Sequence, residues 1–382
     1  MAEITILENF FAKLADTIRV KAVFAEGEKD TFKPENIADI INSDRINPQI
    51  NGKFKRELIC YTPAGLLGIE TVTFGSDVTT MGEAVYLNCA NLTTVNALGY
   101  ITTIQSKAFS GCTNLASIDL SKATSIGSNA FANCTALTEL NVTDELVYVG
   151  QAALNTTGWY KAIKNGPAVA GRCLCGSNGV TEITITDKVL KCVVTGAFGS
   201  GSILQEITIR IDGTLYIQCF QANKNLTKVV LKQEGEEIVA IDTRAFDQCT
   251  NLEELSIDNA QSLSYSALNG CTNLKKVVIG KIPTIADNTF KDCKNLATLE
   301  IGNISELQLN AFQGCSSLTN IYIMNKEALP KEVFNALKRL PSYTAGKQVT
   351  LYVSSELREE WDNLLKGNDE DKLGDNFSIT VG

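Results

Sequence analysis

Apolar residues recur along most of this chain at fixed offsets from an aromatic position. Counting from Phe109, a cysteine follows at +3 (Cys112) and aliphatic residues at +6 (Leu115), +9 (Ile118) and +11 (Leu120). The same offsets hold from Phe290, through Cys293, Leu296, Leu299 and Ile301. Phe131, Phe246 and Phe312 share the column, with Leu268 in the remaining unit. The steps 109 to 131, 246 to 268, 268 to 290 and 290 to 312 are each 22 residues. Looser copies start from Tyr86, Phe198 and Phe220, and Ile69, Val72 and Phe74 supply the strand half of a further unit at the front. Between Phe131 and Phe198 the frame is hardest to place; Leu154 and Leu174 stand in, and Val180, Ile183 and Ile185 form a clear strand.

The offsets have a physical meaning. Positions +7 to +12 read as a short strand whose apolar +9 and +11 side chains point inward while +8 and +10 face solvent. A unit of this size cannot bury its own apolar face, but stacked copies can, each strand pairing with the next in a parallel sheet and the Phe, Cys and Leu columns forming internal ladders. A dozen such units make a solenoid on the order of 60 Å long. Residues 51–345 are assigned to it.

The ends leave the frame. In residues 1–50, Leu7, Phe10, Phe11, Leu14 and Ile18 fall at helical spacing, and Pro34 opens a second pattern through Ile37, Ile40 and Ile41, which predicts a short helical N-terminal cap. Residues 346–382 read as an α/β C-terminal cap: Val349, Leu351 and Val353 in one strand, a helix over 356–365, and Phe377, Ile379 and Val381 in a closing strand.

The run Ala108-Phe109-x-x-Cys112-x-x-Leu115-x-x-Ile118-x-Leu120, followed by Ile126, resembles the BspA-type leucine-rich repeat common in bacterial surface and host-interaction proteins. The stretch from Gly158-Trp159-Tyr160 to Ala197-Phe198 is similar to the long divergent unit of that family. The resemblance implies an α/β repeat solenoid, a leucine-rich-repeat right-handed stack with a parallel sheet on one face. It also implies protein or glycan binding, in adhesion or host and partner interaction at the cell surface. Residues 14–35 resemble a small leader module of phage and prophage structural proteins. That resemblance implies the alternative of a virion or surface component in which the repeats act as a spacer.

Charge and chemistry narrow the function. Against 34 basic residues stand 43 acidic ones, a net charge of −9, so a phosphate backbone is repelled and no nucleic-acid partner is expected. No apolar run approaches the roughly 20 residues of a spanning helix, and no charged segment leads into an apolar stretch at the N-terminus, so neither membrane insertion nor an export signal is expected. There is no histidine, which removes Ser-His-Asp and Cys-His nucleophiles. No Gly-rich phosphate or dinucleotide loop is present either. The expectation is a non-catalytic protein without cofactor or metal.

Seven of the 12 cysteines (Cys89, Cys112, Cys134, Cys249, Cys271, Cys293, Cys315) occupy one column. At about 4.8 Å per rung, four of them spread over roughly 14 Å and cannot converge on one zinc ion. Buried free thiols are the expected reading. Cys173 and Cys175 have the wrong spacing for a redox Cys-x-x-Cys pair.

A ligand would meet the outward strand residues first. The candidates are Asp119, Asn141, Ser256, Val278, Glu300 and Tyr322, beside Ser117, Glu139, Glu254, Lys276, Thr298 and Asn320. Solubility alone also asks for polar residues there, so the two readings stand side by side. Tyr322 is the member singled out, because aromatic residues are enriched among binding hot spots.

Overall fold

A computed structural model describes residues 70–73, 78–96, 100–233, 239–325, 331–357 and 376–381, with Glu359 and Asn363. The N-terminal module expected over 1–50, Ile69, Phe74 and nearly all of the helix expected over 356–365 lie outside the described residues. The chain divides into two compact units, one ending at Ile163 and the other starting at Lys164.

In the first unit each rung carries two strands. Thr71–Thr73, Thr94–Asn96, Ser117–Leu120 and Glu139–Val142 form one parallel ladder; Thr80–Met81, Thr103–Ile104, Ser125–Ile126 and Tyr148–Val149 form another. Parallel stacking follows the period as expected, but with strands on two sides of the coil rather than on one face. The second ladder exists because a lone inward residue per rung (Met81, Ile104, Ile126, Val149) is enough to bury its side. A short helix, Gly158–Ala162, closes the unit; Thr157 caps it by accepting from the Tyr160 amide.

The turn between the two ladders holds the aromatic column, and it is hydrogen-bonded rung to rung as well. The amides of Ala84, Tyr86 and Asn88 donate to the carbonyls of Ser106, Ala108 and Ser110, and those of Lys107, Phe109 and Gly111 to Ser128, Ala130 and Ala132. Aiming alternate amides the same way requires positive φ two residues before and two after the ring. Lys107 and Gly111 flank Phe109 in this way, Asn129 and Asn133 flank Phe131, Arg244 and Gln248 flank Phe246, and Asn288 and Asp292 flank Phe290. A side chain in that conformation costs about 1–2 kcal/mol, offset here by the inter-rung bonds. At Gly111 a Cβ would come within 2.3 Å of the Asn88 side chain, its counterpart one rung earlier, so a larger residue there would need that side chain to move.

In the second unit one sheet runs through Cys173–Gly176, Glu182–Val193, Glu206–Leu215, Lys228–Lys232, Glu254–Leu263, Lys276–Lys281, Thr298–Ile301, Asn320–Ile323, Val349–Val353 and Phe377–Val381, all parallel. The far ends of the longer strands pair with Val239–Ile241 and Thr284–Ile285, and the latter with Glu306–Leu307, so a second ladder is present here too. The irregular region opens with an antiparallel hairpin, Ala168–Ala170 against Cys173–Gly176, which the repeat frame did not anticipate. Helices Lys331–Leu337 and Pro341–Thr344 interrupt the frame after the strand ending at Ile323.

The interior is built as the columns require. Tyr86, Phe109 and Phe131 stack at 5.5 and 5.4 Å, Phe198, Phe220 and Phe246 at 5.0 Å each, and Phe290 on Phe312 at 5.4 Å, with planes within 16° throughout. Leu268 breaks the run between Phe246 and Phe290.

The cysteine column is buried and free. Its thiols hold adjacent rungs together: Cys112, Cys134, Cys249, Cys271, Cys293 and Cys315 each donate to the carbonyl of the ring-column residue one rung earlier, at 3.0 to 3.2 Å. In the Phe220 rung the position is Asn223, fully buried, whose side-chain amide donates to Leu204 and whose oxygen takes the amides of Asn225 and Leu226. The column therefore asks for a small hydrogen-bonding side chain. Burial pushes the Cys134 and Cys315 thiols up to about 12, which keeps them protonated and unreactive.

Candidate binding surface

The outward side chains of the strands form rows whose order is fixed by register. In the first unit, Ser117 stands beside Glu139 and Asp119 beside Asn141. Asp119 and Asn141 are partly committed to each other, since Asn141 Nδ2 donates to Asp119 Oδ1 at 2.9 Å and the Ser121 amide donates to the same oxygen.

In the second unit two rows run the length of the sheet. The first reads Glu182, Glu206, Lys228, Glu254, Lys276, Thr298, Asn320, Thr350, Ser378; the second reads Thr184, Thr208, Val230, Ser256, Val278, Glu300, Tyr322, Tyr352, Thr380. Ser256, Val278, Glu300 and Tyr322 are thus consecutive neighbours in one row, each half-buried, while Asp119 and Asn141 form a separate pair in the other unit.

Charge is distributed unevenly along this face. The first five positions of the first row are all ionic and the last four all neutral. Lys228 pairs with Glu254 at 3.7 Å, and Lys276 reaches across to Glu300 at 2.7 Å. The hydrogen bond to Glu300 holds the Lys276 ammonium above its ordinary value. Beyond that ion pair the strands Asn320–Ile323, Val349–Val353 and Phe377–Val381 contain no charged residue at all. At the centre of the neutral end, Tyr322 and Tyr352 stack at 4.0 Å with their planes 7° apart. Met324, just past its strand, is 52% exposed.

Tyr352 was not among the residues expected from the sequence. A signal was available, because alternation in Val349-Thr-Leu-Tyr-Val353 places Tyr352 outward, but the two inserted helices hide its register with Tyr322.

No group of three or more His, Cys, Asp or Glu side chains is placed to hold a metal ion among the described residues. Within the same residues no helix is long and apolar enough to cross a membrane.

A family model described as a BspA type leucine rich repeat region matches in six copies, over residues 64–169 and 213–341. The chain belongs to the BspA-type leucine-rich repeat family. The solved structures similar to this BspA-type repeat protein include a leucine-rich repeat protein from Bacteroides ovatus, at 18% identity, covering 82% of this chain and 84% of that one with a TM-score of 0.33. Another, from Eubacterium ventriosum, is 21% identical over 66% of this chain and 78% of its own, with a TM-score of 0.32. The pneumococcal vaccine antigen PcpA is 18% identical over 82% and 79%, also with a TM-score of 0.32. No curated protein matches the chain. The stretch between the two matched regions of this BspA-type chain holds the hairpin strand Cys173–Gly176, the long strand Glu182–Val193 and Phe198, which still stacks on Phe220.

Proposed function

We propose that this BspA-type repeat protein is a non-catalytic binding scaffold that holds a protein or glycan on the solvent face of its second unit, serving adhesion or partner interaction at a cell surface. The observation that carries this reading is the change in character along one sheet. Solubility explains a polar face, but it does not explain why ionic side chains stop at the Lys276–Glu300 pair and give way to hydroxyls, an amide and two stacked tyrosines. Loss of charge with enrichment in Tyr and Met is the composition of an interface core.

The test is a glycan-array and host-protein pull-down screen with the full chain, repeated with Tyr322→Ala. Saturable binding that weakens in the variant supports the scaffold reading. Equal binding by both proteins removes this face from it. If nothing binds while the chain copurifies with particles or envelope, the repeats are a spacer in a virion or cell-surface structure, the role implied by the phage-like reading of the first 50 residues.

A further inference from the structure

The tyrosine pair is asymmetric. One face of the Tyr352 ring lies against Tyr322. Its opposite face looks along the sheet toward the last strand, where the register partner of Tyr352 is Thr380 and that of Thr350 is Ser378. Thr380 is exposed, and both residues are far shorter than a tyrosine. The Tyr352 ring therefore stands as an aromatic wall at the end of the stack, over a floor of two hydroxyls. Ser378 Oγ donates to Thr350 Oγ1 at 3.2 Å, which links the floor to the next hydroxyl in the row.

We propose that this step is a carbohydrate subsite that takes an uncharged pyranose unit of a glycan chain. The inference rests on the binding-scaffold reading and narrows it to one ligand class and one place. A pyranose carries a flat face of C–H bonds and a rim of hydroxyls, and the step offers an aromatic face for the first and hydroxyls for the second. Charge selects the neutral sugar: the three strands that build the step have no ionic side chain, and the Lys276 ammonium, on a strand well short of Tyr352, is already occupied by Glu300. Within those three strands a sulfated or carboxylated sugar would leave water without finding a cation. Neighbouring units of the glycan continue along the rungs toward Tyr322, beside which Asn320 and Thr350 of the adjacent row supply further amide and hydroxyl groups.

The experiment is isothermal titration calorimetry of the full chain with cellohexaose, chitohexaose and mannohexaose as neutral probes and a heparin hexasaccharide as the anionic one. Four variants accompany it, each checked for an unchanged melting profile. Thr380→Tyr extends the stack over the ring face that turns toward the last strand, so it abolishes binding without removing a native contact from the core. Tyr352→Ala weakens binding by about tenfold or more. Tyr352→Phe keeps the wall and keeps binding, and Thr208→Tyr, at the far end of the same row, changes nothing. Saturable binding of at least one neutral hexasaccharide with this pattern supports the subsite. Heparin binding more tightly than every neutral probe, or full binding by Thr380→Tyr, overturns it. If no sugar binds but a protein ligand is lost in Tyr322→Ala, the subsite fails and the scaffold reading stands. If neither class of ligand binds, both fail.

Discussion

Truncating Phe246 probes the aromatic ladder where its two neighbours differ. The ring is fully buried and stacks on Phe220 at 5.0 Å with an 11° tilt on one side, while on the other side the column continues with Leu268. Replacing it by alanine removes a side chain that a fixed backbone cannot follow, because the amides of Phe246 and Gln248 remain bonded to the next rung. The expected cost is about 3–5 kcal/mol, as for other buried Phe→Ala changes. Phe246→Leu is the informative companion. Leucine already serves in this column one rung later, so the site keeps most of its apolar volume and loses one ring stack, for about 1–2 kcal/mol. Both values come from urea unfolding followed by far-ultraviolet circular dichroism. In a stack whose stability is a sum of neighbour interfaces, the alanine variant is also expected to unfold first around this rung. A cost below about 1 kcal/mol for the alanine variant, or equal costs for the two, would refute the claim that the ring stack holds adjacent rungs together.

Two further outcomes follow from the interior. The buried thiols of the cysteine column make the fold sensitive to alkali: their folded values lie above that of an unfolded thiol, so as pH rises past about 8.5 the unfolded chain releases protons that the folded chain retains, and stability falls by about 1.4 kcal/mol per pH unit for each such thiol. For Cys134 the loss continues until about pH 12, and Cys134→Ala is expected to flatten the slope of unfolding free energy against pH by one proton. An unchanged slope would mean that the thiol is not buried as described. At Gly213 an added Cβ would lie 1.7 Å from the Lys191 carbonyl, at the shift in register between Glu182–Val193 and Glu206–Leu215. Gly213→Ala is therefore expected to lower stability by about 1–3 kcal/mol. Gly166→Ala, with nothing within 4 Å, is the neutral control, and equal melting temperatures for the two would contradict the close approach.

What the sequence made legible is the part in which size and polarity must repeat. Phe109, Cys112, Leu115, Ile118 and Leu120 are all fully or nearly fully buried, and so are their counterparts from Phe246, Leu268 and Phe290, because those rungs face the same interior; Leu140 and Val142, on the last strand of the first unit's ladder, are only half-buried. The second ladder was hidden because strands such as Thr103–Ile104 are two residues long and leave no alternation to see. The hairpin strand Cys173–Gly176 was hidden for the opposite reason, being buried at every position. Left-handed positions held by Lys107 or Arg244 carry no signature, since hydrogen bonds to the adjacent rung impose that conformation on residues that do not favour it. Of the candidate surface, the row through Ser256, Val278, Glu300 and Tyr322 was read correctly as a row, because alternation alone determines which residues point out. Its continuation to Tyr352 depends on pairing across two inserted helices, which no local pattern encodes.

A sheet made of near-copies behaves as a ruler with evenly spaced marks. A polymer whose own repeat is close to that spacing can lie on it in several frames displaced by one mark, all of similar energy, and would then slide rather than settle. The stacked pair Tyr322 and Tyr352 occurs once along the two rows, beside the insertion that breaks the period. On the proposed reading it would serve as the zero of the scale: a departure from periodicity in the fold would also be what holds a periodic ligand in a single alignment.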